Sequence, residues 1–196
     1  SYTEPHKFAV ELLKTQYRSI PSVGKIFSAL TYEDSLIHYR KEESRRALNI
    51  EEFLSYGSLN LVKFPVHKYE SIYRSKKLNK SNYQIYSALF AYEFTSYLAK
   101  KIAEKNPSEH FKIGVISPYA AQAKLINNLL IAEKIPDSIS VLCGTIHGFQ
   151  GDECDVLVTV FNAPENISNS DKMFLNRKNI INVAISRAKD YLFVLM

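Results

Sequence analysis

Short apolar runs alternate with amphipathic helical patterns through the second half of the chain, and this alternation limits the possible folds more than any other feature. The apolar runs have the length and the β-branched content of buried strands. The predicted strands are 113–116, 140–143, 156–161 and 191–195, and the predicted helices among them are 118–133 and 179–188. Continuous apolar strands interleaved with helices are typical of a parallel sheet covered on both faces. The sequence therefore predicts a three-layer α/β domain with a mainly parallel sheet flanked by helices.

The first half of the chain is less regular but contains the clearest single helix. Apolar residues recur every four positions along its stripe, which consists of Tyr86, Phe90, Phe94, Leu98 and Ile102, widened by Leu89 and Tyr97. Helical spacing also predicts helices over 6–30 and 40–57. The pattern of residues 59–66 predicts a short strand. Because Pro65 cannot donate a ladder hydrogen bond, the far end of this strand is expected at a sheet edge.

Composition excludes several classes of protein. With 46% apolar residues, the 196-residue chain is predicted to form one domain whose core needs no disulfide or metal. Cys143 and Cys154 lack the flanking ligands of a zinc site, so we expect reduced thiols and no bound metal. No segment approaches the roughly 18 apolar residues of a membrane span, and the N-terminus lacks a signal-peptide pattern. We therefore expect an intracellular protein, in the cytoplasm or the nucleus or nucleoid. Because the chain starts at Ser1 without a methionine and stops at Met196 within an apolar run, we also expect a piece of a longer protein.

Positive charge is concentrated in one part of the chain. The net charge is +5, and residues 40–80 account for all of it, with ten basic residues against five glutamates. The basic residues are Arg40, Lys41, Arg45, Arg46, Lys63, Lys68, Arg74, Lys76, Lys77 and Lys80. Tyrosines interleave with them, so this basic segment has the composition of a surface that follows a phosphate backbone and stacks on single-stranded bases. A solvated surface insertion explains the same charge equally well.

Ligands of open parallel sheets bind at the carboxyl ends of the strands, so candidate binding residues are expected in the loops that follow strands. Ser117 follows the strand 113–116, and Pro118 fits the first position of the next helix. If Ser117 caps that helix, the free backbone N–H groups form an anion site, although capping alone is a sufficient explanation for the pair.

The loop from Gly144 to Asp155 is the richest in polar groups. It contains three of the six glycines of the chain within eight residues, and glycine allows close approach of the backbone to a ligand. Its hydrogen-bonding side chains are Thr145, His147, Gln150 and Glu153. His147 has no second ligand at a suitable spacing, so no metal is predicted here.

Residues 182–189 form a third candidate segment, in which a helix of small apolar residues carries Arg187 next to a strand. A guanidinium group meets phosphate oxygens with a planar fork of donors. A lone arginine at a helix end is more often a partner of the helix dipole, so Arg187 gains meaning only together with other residues.

Four segments of the chain together resemble the conserved motifs of one protein family. Gln16-Tyr17-Arg18, Ser117-Pro118-Tyr119 with Gln122, the 144–155 loop and 182–189 occur in the order and spacing of one family. Over nearly its whole length the chain resembles the second RecA-like domain of superfamily 1 helicases, in the branch of the nonsense-mediated-decay and senataxin-type helicases. The Phe-Gln-Gly-x-Glu and Val-Ala-x-Ser-Arg-Ala-Lys signatures are its most specific parts. Ser19-Ile20 departs from the Met-His that family members commonly have after Gln-Tyr-Arg, and Asn179-Ile180 replaces the basic residues common before Asn-Val-Ala.

The resemblance implies roles for individual residues. Arg18 and Arg187 would be catalytic arginine fingers that reach the γ-phosphate of ATP. The residues implied to bind the nucleotide are Gln16, Tyr17, Gly151 and Glu153, with Tyr17 beside the adenine and Glu153 accepting from a ribose hydroxyl. The residues implied to contact a single strand of nucleic acid are Ser117, Pro118, Thr145 and His147. The 144–155 loop would then touch both ligands and link hydrolysis to stepping.

The resemblance also implies that the activity needs a second domain. The only Gly-Lys pair is Gly24-Lys25, and Ser19 and Ile26 occupy the positions where a phosphate-binding loop requires glycine and Ser or Thr. Asp152-Glu153 follows a glycine rather than an apolar strand, so the acidic magnesium site is missing as well. We expect ATP and Mg²⁺ to be bound mainly by a first RecA-like domain of the same polypeptide, and this chain alone to hydrolyse no ATP.

Three functions remain open at this point. The leading one is the motor domain of an ATP-dependent DNA or RNA helicase or translocase, without a choice between DNA and RNA. The alternative is a catalytically inactive, helicase-derived module that binds a single strand or a protein. An unrelated doubly wound nucleotide-binding enzyme is disfavoured, because no Gly-x-Gly-x-x-Gly follows a strand.

Overall fold

The computed structural model describes residues 13–50, 57–64, 74–149, 151–161 and 178–196, with side chains from 181 onward in the last range. The strands are β1 (Thr15–Gln16), β2 (Ile37–His38), β3 (Leu59–Val62), β4 (Lys76–Leu78), β5 (Ser81–Tyr83), β6 (Phe111–Ser117), β7 (Ile139–Thr145), β8 (Cys154–Val160) and β9 (Ala188–Leu195). The α-helices are α1 (Pro21–Thr31), α2 (Ile85–Lys105), α3 (Ala120–Ile131) and α4 (Lys178–Ile185). Short 3₁₀ turns cover Glu42–Ser44 and His147–Phe149.

A five-stranded sheet organises the molecule, in the order β3-β9-β8-β6-β7, and all of its pairings are parallel. Alternate side chains of each strand point to opposite faces. Val156 and Val158 of β8 pack into the core formed with α2 and α3, whereas Leu157 packs into the core formed with α1 and α4. The predicted three-layer α/β fold with a parallel sheet is confirmed, and so are the four predicted strands of the second half, each extended by one to three residues at an end.

The predicted helix over 6–30 is wrong for residues 13–20, and the helix begins only at Pro21. The preceding segment is extended because it is bound to the start of β9. The Ser19 hydroxyl donates to the carbonyl of Ala188 (2.6 Å), and the amide of Ile20 donates to the carbonyl of Lys189 (3.0 Å). Residues 6–12 lie outside the described part of the chain.

The predicted helix over 40–57 is also wrong where the structure describes it. Residues 40–50 contain only the 3₁₀ turn Glu42–Ser44. The polar side chains that suggested a solvated helix make tertiary ion pairs instead, of Arg40 with Asp190 and of Arg46 with Glu109. Residues 51–56 lie outside the described ranges.

Helix α2 is present where predicted, and its most buried face coincides with the predicted stripe only in part. Ala88, Ala91 and Ala99 have no exposed surface, whereas Leu89 of the predicted stripe is 45% exposed. Leu98 and Ile102 of the predicted stripe are buried in the core with these alanines, whereas the aromatic residues of the stripe are only partly buried or exposed. Phe94, for example, packs edge-on against Phe193 of β9. None of the described helices is long and apolar enough to cross a membrane.

The predicted strand over 59–66 is shorter in the structure and ends at Val62. As Pro65 predicted, it lies at an edge of the sheet, where β9 is its one partner among the described strands. Pro65 and Val66 themselves lie outside the described residues.

Candidate functional site

The predicted site residues lie at two opposite edges of the sheet. Ser117 and Thr145 end the neighbouring strands β6 and β7 in register with each other, so they lie at the carboxyl edge. Glu153 and Arg187 immediately precede β8 and β9, so they lie at the amino edge. Glu153 and Arg187 therefore lie away from the carboxyl edge, where the loops that follow the strands begin. Parallel strands require the chain to return to the opposite edge before each new strand begins.

Arg18 lies between these two amino-edge residues. Its Nε donates to Oε1 of Glu153 at 2.7 Å, and its Nη1 donates to the carbonyl of Ser186 at 3.0 Å. Ser186 directly precedes Arg187, whose Nε donates to the carbonyl of Val183 at 3.2 Å. Residues far apart in sequence thus bring two guanidinium groups to one place.

The two positive charges also influence each other. The pKa of the Arg187 guanidinium is lowered from its ordinary value, first by burial and then by the positive charge of Arg18. Two like charges that disfavour each other are stabilised together by an anion between or beside them. The arrangement therefore has the character of an anion site whose counter-charge, in this chain, is Glu153.

Gln16 shapes the turn that presents Arg18. Its Oε1 accepts hydrogen bonds from the backbone amides of Arg18 (3.1 Å) and Ser19 (2.9 Å). Its Nε2 donates to the carbonyl of Ser19 (2.8 Å) and lies 2.7 Å from Nδ1 of His38. The amide group of Gln16 is thus engaged by the protein on both atoms. Its predicted contact with a nucleotide remains a prediction, and its observed contribution is to the local backbone.

The departure at Ser19-Ile20 is accommodated by the core. Ser19 is buried with its hydroxyl bonded to the carbonyl of Ala188. Ile20 has no exposed surface and packs with Val23 and Leu192 in the core on the α1 face. This pair therefore anchors the residue before it, Arg18, against the start of β9.

Arg40 is a structural residue that sequence reasoning assigned to the basic segment. Its Nη1 donates to the carbonyl of Arg18 (2.9 Å) and to the carbonyl of Lys189 (3.3 Å). Its Nη2 donates to Oδ1 of Asp190 at 2.6 Å, and Asp190 is 1% exposed. Burial raises the pKa of Asp190 above its ordinary value, while the hydrogen bond and the charge of Arg40 oppose that rise. One guanidinium group thus connects the Arg18 turn to the segment that carries Arg187.

An open pocket of about 450 Å³ adjoins Arg18. It is lined by Leu13, Thr15, Gln16, Tyr17, Arg18, Phe27, Tyr32, Leu36, Glu153, Asn182 and Ser186. The ring of Tyr17 is 65% exposed and lies 4.8 Å, centroid to centroid, from the ring of Tyr39. Oδ1 of Asn182 is buried without a hydrogen-bond partner in the described part of the chain. The pocket therefore combines aromatic side chains and a cation. No sequence signal marked Tyr39.

Gly151 precedes Glu153 in a conformation that favours glycine. Its φ is +89°, which residues with a side chain rarely adopt, and no neighbouring atom restricts it. Gly151 thus sets the backbone path that brings Glu153 to Arg18. Within the described ranges, no three His, Cys, Asp or Glu side chains come together as a metal site.

At the carboxyl edge, the expected capping by Ser117 is wrong. Helix α3 begins at Ala120, and Ser117 is the last residue of β6, with Pro118 in the connection. The Ser117 hydroxyl accepts from the amide of Tyr119 at 3.3 Å, and the amide of Ala121 donates to the hydroxyl of Ser81 at 3.0 Å. A serine from β5 therefore occupies the first turn of the helix, and Ser117 is buried.

The 144–155 loop crosses from the carboxyl edge to the amino edge. Thr145 Oγ1 accepts from the amide of Gly148 at 3.4 Å, and His147 is exposed in the 3₁₀ turn. Phe149 is 1% exposed and packs over Gly114. A Cβ atom at Gly114 would lie 3.0 Å from Cε1 of Phe149 and 2.6 Å from Sγ of Cys154, so only glycine leaves room for both. The crossover is thus anchored at its middle.

The basic segment divides into two parts. Arg46 pairs with Glu109 (2.9 Å) and Asp155 (3.1 Å) and lies 3.7 Å above the ring of Phe111. Together with the Arg40–Asp190 pair, these contacts engage the first part in the fold itself. Following a phosphate backbone is therefore not the role of Arg40 and Arg46. The second part contains three exposed lysines on the β4–β5 hairpin, Lys76, Lys77 and Lys80.

Comparison with known proteins matches the whole chain to one family. The profile of the AAA_12 family, an AAA domain, covers residues 1–196. Curated relatives include a probable RNA helicase, armi, of Drosophila melanogaster (27% identity over 91% of this chain and 15% of the relative). Another is an uncharacterized ATP-dependent helicase of Caenorhabditis elegans (27% identity over 96% of this chain and 11% of the relative). A third is the 5'-3' DNA helicase ZGRF1 of Mus musculus (26% identity over 93% of this chain and 9% of the relative). The chain thus spans a small fraction of the length of these relatives.

Among solved structures, the C-terminal domain of a possible DNA helicase from Lactobacillus plantarum is similar. The TM-score is 0.48 and the sequence identity is 12%, over 91% of this chain and 86% of that chain.

Proposed function

The chain belongs to the AAA_12 family, the C-terminal helicase domain, and on this premise we propose that it is the second motor domain of an ATP-dependent helicase or translocase. In this proposal Arg18 and Arg187 contact ATP that is bound mainly by a first RecA-like domain of the same polypeptide. A surface at the opposite edge of the sheet contacts single-stranded nucleic acid.

The convergence of Arg18 and Arg187 is the observation that carries the proposal. Arg18 donates a hydrogen bond to the carbonyl of Ser186, and after burial its positive charge is the next cause that lowers the pKa of Arg187. Guanidinium groups that are held in place before the reaction stabilise the charge that develops on a transferred phosphoryl group. Glu153 holds Arg18 in the orientation seen here, so we assign Glu153 to positioning Arg18 as well as to the ribose.

The pocket beside Arg18 fits the remainder of a nucleotide. Tyr17 lines the pocket and offers an exposed aromatic face for a base, with the exposed ring of Tyr39 against it. The bound Mg²⁺ would neutralise phosphate charge, and the described residues of this chain supply no acidic cluster for it. We therefore assign the metal and most of the triphosphate to the first domain.

The strand surface in this proposal is the carboxyl edge, where Thr145 and His147 are accessible and Ser117 and Pro118 are buried at the end of the neighbouring strand. The 144–155 loop joins this edge to Glu153 at the amino edge. A change in the position of Glu153 on nucleotide binding is therefore transmitted along a short, anchored connection to His147 and Thr145. This supports coupling between hydrolysis and movement on a strand.

The test is the pair Arg187→Ala and Arg187→Lys in the full-length protein. We expect the alanine variant to lose roughly 10³-fold or more in strand-stimulated ATPase, with unchanged binding of a labelled oligonucleotide. Lysine keeps the charge but not the planar fork, so we expect it to restore only a small part of the activity. Full ATPase activity in the alanine variant would exclude the finger assignment. A wild-type protein that binds the strand but shows no stimulated ATPase would favour the catalytically inactive binding module.

A further inference from the structure

The strands β4 and β5 form an exposed, basic hairpin. Lys76 pairs with Tyr83 and Leu78 pairs with Ser81 across an antiparallel ladder. The two turn residues, Asn79 and Lys80, both have positive φ values, of 48° and 64°. Positive φ at both central residues defines a type I′ turn, whose twist matches that of the strands it joins. The hairpin therefore has a defined shape, although it is only three residues long on each side.

The hairpin is fixed to the carboxyl edge of the sheet. The hydroxyl of Ser81 accepts from the amide of Ala121 in the first turn of α3 (3.0 Å), and Asn82 hydrogen-bonds the side chain of Tyr119. Residues 119–121 directly follow the end of β6 at Ser117 and Pro118. The hairpin is thus adjacent to the surface that we assign to the strand.

A buried amide pair holds the base of the hairpin. Oε1 of Gln122 accepts from the backbone amide of Gln84 at 2.7 Å, and Nε2 of Gln122 donates to the carbonyl of Gln84 at 3.3 Å and to the hydroxyl of Ser87 at 3.1 Å. Gln122 has no exposed surface. Because buried amides are stable only when hydrogen-bonded, this joint fixes β5 relative to α3.

The charge of the hairpin is not compensated within the described part of the chain. Lys76, Lys77 and Lys80 are exposed, and none of them forms an ion pair with a described residue. Arg40 and Arg46, by contrast, are paired with buried or half-buried carboxylates. The hairpin lysines are therefore available to an external anion next to the strand surface, as the exposed Lys41 and Lys63 are elsewhere in the basic segment.

We propose that the β4–β5 hairpin is an additional grip on the nucleic acid, in which Lys76, Lys77 and Lys80 contact the phosphodiester backbone of the strand beyond Ser117 and Thr145. This inference rests on the proposed function. Contacts to phosphates are independent of base sequence and strongly dependent on salt. The hairpin therefore contributes affinity and salt dependence, but no base specificity.

The experiment compares two variants of the full-length protein that lose the same charge. Lys77→Gln with Lys80→Gln neutralises the hairpin tip. The control, Lys105→Gln with Lys134→Gln, changes two exposed lysines that precede β6 and β7 and so lie toward the amino edge. Binding of a labelled polypyrimidine oligonucleotide, as DNA and as RNA, is measured across a salt series, and ATPase is measured at saturating strand.

We expect the hairpin variant to bind roughly 5- to 25-fold more weakly at about 0.1 M salt, because each lost phosphate contact removes about 0.7 from the logarithmic salt slope. The slope should become less negative by about 1.4, while the control keeps the wild-type slope. ATPase at saturating strand should stay at the wild-type level in both variants.

If strand affinity depends on salt with the same slope in the hairpin variant and in the wild type, the proposed phosphate contacts of the hairpin are excluded. Failure of the wild-type protein itself to bind the strand would overturn the proposed function instead, so the two failures are distinguishable. Loss of affinity without a change of slope would also contradict the proposal, since a backbone contact cannot be lost without releasing fewer counterions.

Discussion

Arg40 donates a hydrogen bond to the main-chain carbonyl of Arg18 at 2.9 Å, and the same guanidinium group is paired with the buried carboxylate of Asp190. The Arg18 turn and the β9 start, which follows Arg187, are therefore held by one side chain. If both arginines act on a phosphate, Arg40 sets the distance between them without touching the ligand. Arg40 is in that case a positioning residue.

Removal of Arg40 alone is expected to be damaging for a reason unrelated to function. Arg40→Ala leaves the Asp190 carboxylate buried without its partner, which costs about 3–5 kcal/mol in comparable buried pairs. Replacement of both residues, as Arg40→Met with Asp190→Leu, removes the unpaired charge and is expected to restore most of the stability. Thermal unfolding of the two variants measures this difference.

The double variant then isolates the positioning role. We expect a folded protein with a reduced kcat for ATP, a KM close to the wild-type value and unchanged strand binding, because geometry at the transition state is altered while the binding surfaces remain. A folded double variant with a wild-type kcat would refute the positioning role of Arg40.

Glu153 is expected to matter for catalysis and little for stability. Its pair with Arg18 is solvent-accessible, with side-chain exposures of 43% and 32%, and such pairs contribute about 0–1 kcal/mol. Glu153→Gln should therefore unfold within a few degrees of the wild type but show reduced ATPase. Comparison of ATP with 2′-deoxy-ATP separates the two assigned roles.

A ribose contact predicts that 2′-deoxy-ATP has a higher KM than ATP in the wild type, and that this difference disappears in Glu153→Gln. If the wild type treats both nucleotides alike while Glu153→Gln still lowers kcat, Glu153 only orients Arg18. An unchanged kcat would remove Glu153 from the mechanism.

Gly114→Ala tests the anchoring of the crossover. The added methyl group would lie within 3.0 Å of Cys154 Sγ, Leu157 Cδ1 and Phe149 Cε1. Overpacking of this kind costs about 1–3 kcal/mol, so denaturant unfolding should show a lower midpoint. Gly57→Ala is the matched control, since no atom of the residues that the structure describes lies within 4 Å of the added carbon, and we expect its midpoint to be unchanged. Equal midpoints for both variants would contradict the close packing under Phe149.

The fold of the second half of the chain could be predicted because the buried strands of a parallel sheet have continuous apolar sequences. The helix predicted over 40–57 failed because a polar, helix-like pattern does not distinguish solvated charges from charges that pair across the fold. Arg40 pairs with Asp190, which is 150 positions away in the sequence, so no local sequence pattern could predict the contact. For α2, periodicity located the helix, but its alanines rather than its aromatic residues have the closest contact with the sheet.

The candidate site was predictable in part for similar reasons. The resemblance selected Arg18, Glu153 and Arg187 together, and the structure brings these three together at one edge. Tyr39, whose ring lies against that of Tyr17, was not marked by any sequence signal. Ser117 was assigned the cap of α3 from its position in sequence, whereas the hydroxyl that fills the first turn comes from Ser81, on a strand formed much earlier in the chain.

The connection from β7 to β8 has little slack. Its eight residues must return from the level of Ser117 to that of Phe111 and pass β6, a distance of roughly 20–25 Å, whereas a chain of this length reaches at most about 30 Å. Phe149 divides it into two shorter tethers. Deletion of even two residues would exhaust the reserve of length and shear the register between β6 and β8. Natural deletions are accordingly expected in other connections of the chain.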